Sequence, residues 1–342
     1  MLVKCWWRRS VGLSDYIAKR AFCPAYFGFR RKTATSLVFL RPHKRSIIDN
    51  NVNVNILIQE IEKTRKLAPE EINLIQRAFN FSQKAHQPQK RESGEPYFNH
   101  AFQTALKLAE WRLDAQTIAA GLLHDVVEDT NSTLEDIKKD FGEEIAFLVD
   151  GVTKLGRLKY RGSNNKEQAR RKSRDSAAGQ AENIRKMILA LSKDLRVVLI
   201  KLADRLHNLK TLSAIPVQKQ KRIALETSEI YAPLAYRLGM SNLAGELEDL
   251  AFPFLHPQEH KWLVKNIKER YEERQIYLGK VKEIVEKNLK ENGIAPLKID
   301  LRAKRYASLY KKLLRYDMNL EQIYDLVALR IIVKTVEECY AV

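Results

Sequence analysis

Two histidines and two carboxylates have the types and settings that suit a metal ion. His100 follows a Gly-Pro loop, His124 and Asp125 are adjacent at the end of an apolar segment, and Asp204 lies in the run KLADRLHN. A His-Asp pair alone is a common accident, and a single such histidine is more often packed or solvated. Asp204 carries more weight, because it sits among Leu199, Ile200, Leu202, Ala203 and Leu206, where an uncompensated carboxylate is costly. It needs a cation or donors, and a metal ion serves that need. Two imidazoles and two carboxylates form a mixed borderline and hard donor set, better suited to Mn²⁺, Fe²⁺ or Zn²⁺ than to Ca²⁺. Four protein ligands leave room on an octahedral ion for a water and a phosphate oxygen, so the ion would lower the water's pKa and polarise the phosphorus together. Hydrolysis of a phosphate ester is the reaction class this implies.

Further polar residues fall beside these ligands at helical spacing. Glu128 is four after His124, Asp129 four after Asp125, and Asn208 four after Asp204. Glu128 and Asp129 read equally as surface acids opening a loop, but next to an activated water they become candidates to orient or deprotonate it. Arg91, in the loop before His100, is either an ordinary exposed arginine or a clamp for an anionic substrate or leaving pyrophosphate.

The elements that must hold these residues are mostly helical. From Ala68, Ile72, Ile75, Ala78, Phe79 and Ala85 trace a 3.6-residue stripe with Glu70 and Glu71 in its first turn. The Ser, Gly and Pro of KRESGEPY make 90–97 a loop, and helices are expected over 101–112 and 114–127. Ser132, Thr133 and Asp136 open a short helix, Gly142 precedes another that runs to about 154, and the basic stretch 157–180 reads as a loop. Helices resume over 181–191, 194–213, 217–238, 242–254 and, with many charges, 258–292. After Gly293 and Pro296 the pattern turns α/β, with strands at 298–301 and 326–333 around a helix at 306–314. The apolar strand LVALRIIV needs partners on both edges, yet few residues follow it, so the last domain is expected to be truncated. The domains expected are a basic extension, disordered or mis-assigned, at 1–50, a helical hydrolase-like body at 51–255, a helical linker at 256–296 and an incomplete α/β domain at 297–342.

Composition narrows the function classes. With 45% apolar and 30% charged residues, 13 Gly and 10 Pro, the chain is globular rather than disordered or collagen-like. Three cysteines in no metal-type spacing argue against a zinc ribbon or disulfide framework and favour a reducing compartment. The net charge of +18 suggests nucleic acid, but 11 Lys/Arg against two Asp sit in residues 1–50 and eight against Glu167 in residues 157–174. The remainder is nearly neutral, unlike a duplex-binding surface. No apolar run is long enough for a membrane span or a signal-peptide core.

Several long runs resemble the RelA/SpoT homologue (Rel) family of bifunctional alarmone enzymes: RESGEPYFNH (91–100), LLHDVVEDT (122–130), FGEEIAFLVDGVTKLG (141–156), AENIRKMILAL (181–191) and DLRVVLIKLADRLHNLKTL (194–212). The resemblance covers about residues 55–342. It implies an all-helical HD-type hydrolase domain that uses Mn²⁺ to remove the 3′-pyrophosphate of (p)ppGpp, giving GDP or GTP. Carried over, it makes His100, His124, Asp125 and Asp204 the metal ligands, Glu128 and Asp129 the water-orienting acids, Asn208 a substrate contact, and Arg91 a residue over the nucleotide. Three departures stand out: Glu92 where the family often has a lysine, Ala101 in place of proline, and a longer basic stretch at 157–180. LRAKRYASLYKKL and YDLVALRIIV resemble the start of the family's nucleotidyltransferase-like synthetase domain. The resemblance then makes Arg302, Lys304, Ser308 and Lys312 nucleotide-binding residues and Asp325 a Mg²⁺ ligand of an incomplete site; read alone, this cluster is an amphipathic basic helix. The chain as given is not expected to synthesise alarmone. The alternatives are an HD phosphohydrolase acting on another nucleotide, or a silent regulatory module whose basic arm contacts RNA or the ribosome. A bacterial cytoplasm is the expected location, with a plastid compatible.

Overall fold

In the computed structural model, residues 3–6, 52–156 and 194–342 are described. The basic stretch 157–180, the helix expected over 181–191 and most of the 1–50 extension lie outside them. The chain divides into two compact units, one over 51–261 and one comprising Trp262–Val342 with the N-terminal segment. Among the described residues no helix is long and apolar enough to cross a membrane.

The first unit is helical throughout. It comprises α1 (Val54–Glu62), α2 (Pro69–Ala85), α3 (Phe98–Glu110), α4 (Ala115–Leu123), α5 (Val126–Asp129), α6 (Leu134–Phe141), α7 (Glu143–Gly156), α8 (Leu195–Lys210), α9 (Val217–Glu226), α10 (Ala232–Arg237) and α11 (Ser241–Leu255). The expected stripe of α2 buries Ile75, Ala78 and Phe79, and Phe79 meets the rings of Phe98 and Phe102 edge to face. α4 is the central helix: it is apolar on nearly every side and packs against α2, α3 and α7. Its start is fixed by Asp114, whose carboxylate accepts from the Thr117 backbone N–H and hydroxyl at 2.8 Å each. At Gly121 a Cβ would meet Leu108 Cδ1 at 2.4 Å, so any larger residue requires the Leu108 side chain to shift. The Thr133 and Asp136 signal forms a reciprocal cap on α6, and Gly142 closes that helix with φ of 91°.

Two helices differ from the periodicity. The one expected over 114–127 stops at Leu123; His124 turns its ring back onto the Gly121 carbonyl, and Asp125 precedes the separate one-turn α5. The one expected over 217–238 is interrupted by a π-turn at Thr227–Tyr231. Pro233 lacks an N–H and its ring excludes the carbonyl of the preceding turn, and the wider turn accommodates this.

The second unit holds α12 (Pro257–Glu291) from Trp262 on, β2 (Lys298–Ala303), α13 (Tyr306–Leu313), β3 (Val327–Val333) and α14 (Val336–Ala341). β3 is central in an antiparallel sheet, with Lys298 of β2 opposite Ile332 on one edge. Its other edge carries β1 (Val3–Trp6), with Val3 opposite Val333. The apolar strand therefore has backbone partners on both sides, one of them from the basic extension. Leu289, Ile331 and Val333 form the small core beneath. Cys339 is disulfide-bonded, a single bridge that three cysteines in unpaired spacing do not predict.

Candidate metal centre and anion clamp

The site is built where α3, the α4–α5 break and α8 meet. His100 lies in the first turn of α3, His124 and Asp125 occupy the break, and Asp204 is on the buried face of α8. Asp125 stands at the start of α5 with its side chain free of any cap bond, so the carboxylate turns inward. His100 Nε2 is 3.4 Å from Asp125 Oδ2 and 3.2 Å from Asp204 Oδ1, and His124 Nε2 is 3.1 Å from Asp125 Oδ2. Donor atoms of His100, His124 and Asp125 all lie within 4.8 Å of one another. Ligands about 2.1 Å from an ion lie about 3 Å apart when adjacent on it, so these separations fit a shared cation.

The donor chemistry supports the same fit. The Gly121 carbonyl can only accept, so His124 Nδ1 donates to it at 2.8 Å and Nε2 is the nitrogen left to take a proton or an ion. That Nε2 is buried and faces Asp125 Oδ2 at 3.1 Å. Without an ion, burial pulls the His124 pKa down but the Asp125 charge more than offsets it, raising it to about 9. Burial likewise pushes against ionisation of Asp125 and Asp204, yet His124 and His100 beside the first and Lys201 beside the second hold both carboxyls well below the usual range. The centre thus stabilises positive charge and binds a proton where a cation would sit. Below about pH 9 a cation must displace that proton, so divalent-ion affinity is expected to fall about tenfold per pH unit on acidification. Calorimetric Mn²⁺ titrations at about pH 6, 7 and 8 check this; affinity independent of pH would contradict it.

The other expected site residues surround the centre. A turn closed by Arg91 N–H to Glu95 O at 2.9 Å and Gly94 N–H to Arg91 O at 2.8 Å presents Arg91. Its guanidinium bonds Asn208 Oδ1 and lies 3.3 Å from Thr211 Oγ1 and from His207 Nδ1. Asn208 in turn donates to Asp204, linking the clamp to a ligand. Asp129 accepts from Tyr97, whose hydroxyl also reaches Asp125 Oδ2 at 3.0 Å. Glu128 is on α5, and partial burial raises its pKa, with Asp125 and Asp129 adding to the rise against Lys201. Glu92 makes an exposed ion pair with Lys219 at 3.6 Å.

Sequence reasoning overlooked Tyr97, Lys201, His207 and Thr211. Tyr97 stacks on His86 at 4.8 Å, and Lys201 Nζ is 2.6 Å from Asp204 Oδ2. Tyr97 stands three before His100, and Lys201 and His207 three to either side of Asp204, so the helical spacing that singled out Asn208 would have found them. In the second unit Lys304 and Lys312 both pair with Asp325, at 2.7 and 2.5 Å, and hold its carboxyl down at about 2 against burial. Arg302 is on β2 and Ser308 on α13, one turn before Lys312.

The family described as HD domain matches residues 78–241, and that described as a region found in RelA / SpoT proteins matches residues 301–342. A guanosine-3′,5′-bis(diphosphate) 3′-pyrophosphohydrolase of Aquifex aeolicus is 45% identical over 287 residues, 84% of this chain and 39% of its own length. A GTP pyrophosphokinase of Streptomyces coelicolor is 43% identical over 276 residues, 81% of this chain and 31% of its own. The bifunctional (p)ppGpp synthase/hydrolase SpoT of Escherichia coli K12 is 41% identical over 276 residues, 81% and 37% respectively. The chain thus spans between about three and four tenths of these relatives. An HD domain and a RelA/SpoT region in one chain, with relatives this similar across both, show that it belongs to the RelA/SpoT homologue family.

Proposed function

We propose that this chain is a Mn²⁺-dependent hydrolase that removes the 3′-pyrophosphate of (p)ppGpp, giving GDP or GTP and pyrophosphate, and that it serves the stringent response in a bacterial cytoplasm. The observation that carries the reading is the convergence of His100, His124, Asp125 and Asp204 beside the Arg91 and Asn208 clamp. The names of the relatives point to the same substrate.

His100, His124, Asp125 and Asp204 would hold the ion, which when bound acidifies water and polarises a phosphoryl group. Glu128, with its raised pKa, takes the proton of the attacking water. Asp129, fixed through Tyr97, orients that water. Attack at the phosphorus next to the 3′ oxygen breaks that P–O bond, and the 3′ oxygen leaves as a hydroxyl once protonated. Arg91, released from Asn208 and His207, neutralises the departing pyrophosphate.

Pyrophosphate release from ppGpp by the purified chain with Mn²⁺, with and without EDTA, tests this. Turnover abolished by EDTA is expected, with ppGpp preferred over nucleotides lacking a 3′-pyrophosphate. Preference for another nucleotide would move the assignment to a different HD phosphohydrolase, and no turnover in folded, Mn²⁺-loaded protein would overturn the enzymatic reading.

A further inference from the structure

We propose that His207 is a positioning residue for the metal centre: it keeps the proton of His100 on Nδ1, so that Nε2 of His100 faces the cation, and it shares that acceptor nitrogen with Arg91. The inference rests on the reading of His100 as a metal ligand.

The two imidazoles meet nitrogen to nitrogen. His100 Nδ1 and His207 Nδ1 are 2.8 Å apart, with ring centroids 5.0 Å apart and planes tilted by 44°. One nitrogen of such a pair must carry the proton and the other the lone pair. Arg91 decides which, because its Nη1 can only donate and it approaches the same His207 Nδ1 at 3.3 Å. His207 Nδ1 is therefore the acceptor for both, and His100 Nδ1 is the donor. A neutral imidazole protonated at Nδ1 has its lone pair on Nε2. That is the atom lying 3.4 Å from Asp125 Oδ2 and 3.2 Å from Asp204 Oδ1.

His124 reaches the same tautomer through the Gly121 carbonyl. Each imidazole ligand thus has an outer acceptor that fixes its ring, the arrangement by which protein metal sites orient histidines. His207 lies one turn after Asp204, so α8 supplies both a ligand and the partner of another ligand. Arg91 and His100 also compete for one lone pair. An anion that draws Arg91 away leaves His207 wholly to His100, so a single nitrogen ties the clamp to the cation.

Two measurements on the full chain test this. In metal-free protein, ¹⁵N-resolved imidazole spectra are expected to show His100 protonated at Nδ1. His207→Leu, which removes the acceptor, is expected to weaken Mn²⁺ binding about tenfold or more, read by spin resonance of free Mn²⁺ without substrate. His207→Asn, whose Oδ1 can take the place of Nδ1, is expected to restore most of the loss. Absence of a proton on His100 Nδ1, wild-type Mn²⁺ affinity in the leucine variant, or equal losses in both variants would each overturn the proposal; a proton also on Nε2, beside the Asp125 and Asp204 carboxylates, would not. If His207→Leu does not fold, the wild-type tautomer and the asparagine variant still decide. A wild-type chain that binds no Mn²⁺ would instead sink the metal reading, whereas the tautomer is measured without metal.

Discussion

Asp125→Asn is expected to reduce kcat/KM for pyrophosphate release from ppGpp by at least about 10³-fold, about 4 kcal/mol of transition-state stabilisation. Asp125 is the carboxylate on which the centre turns: its Oδ2 lies 3.1 Å from His124 Nε2, 3.4 Å from His100 Nε2 and 3.0 Å from the Tyr97 hydroxyl. Asparagine keeps the shape and one oxygen but removes the charge. A cation then loses an anionic ligand, and in the ion-free protein His124 loses the group that raises its pKa to about 9. Mn²⁺ affinity should therefore fall by more than about tenfold, and the remaining binding should depend less on pH. Alanine should act more severely, because Tyr97 loses one of its two acceptors and Asp129 loses its fixed neighbour. Parallel Mn²⁺ titrations, melting curves and ppGpp assays of both variants separate ligand loss from misfolding. A folded Asp125→Asn protein with near wild-type turnover would show that the buried cluster is structural.

Much of this centre was legible in the sequence because helices convert spacing into position. Asp204 stood out as a carboxylate on an apolar stripe, and Asn208 followed from it at one turn. The break at His124 was not legible, since residues 114–127 have a continuous helical pattern, and the His124 bond to the Gly121 carbonyl accompanies the turn without marking it in the sequence. The Lys201–Asp204 pair is local to α8 and was open to the same three-residue spacing, whereas the role of His207 depends on His100 and Arg91, brought to it by the tertiary fold. The paired outer edge of β3 was least legible of all: its partner Val3–Trp6 lies more than three hundred residues away, in a basic segment for which no element was expected. Charge and periodicity are local properties, and long-range strand pairing leaves no trace in either.

Lys201→Met is expected to destabilise the metal-free protein by about 3 kcal/mol, lowering its melting temperature by about 6–12 °C. The Lys201 side chain, 13% exposed, lies on α8 one turn before Asp204, with its ammonium 2.6 Å from Asp204 Oδ2. Burial alone would strip its proton, yet the Asp204 charge holds its pKa above the ordinary value. Methionine fills similar space but leaves the buried Asp204 and the partly buried Asp125 carboxylates with only imidazoles to neutralise them. Removing one partner of a buried pair costs more than the pair was worth, because the remaining charge stays desolvated. A divalent cation among the same carboxylates supplies the missing charge, so the gap between Lys201→Met and wild type should narrow as Mn²⁺ is added. This interaction between mutation and metal distinguishes charge from packing: a gap unchanged at saturating Mn²⁺ would mean that Lys201 acts through the volume it fills. Equal melting temperatures without metal would mean that the ion pair only balances its own desolvation. A narrowing gap would place Lys201 as the charge that occupies the centre's electrostatic demand until the cation arrives, and would explain how two carboxylates remain ionised in an apolar helix bundle.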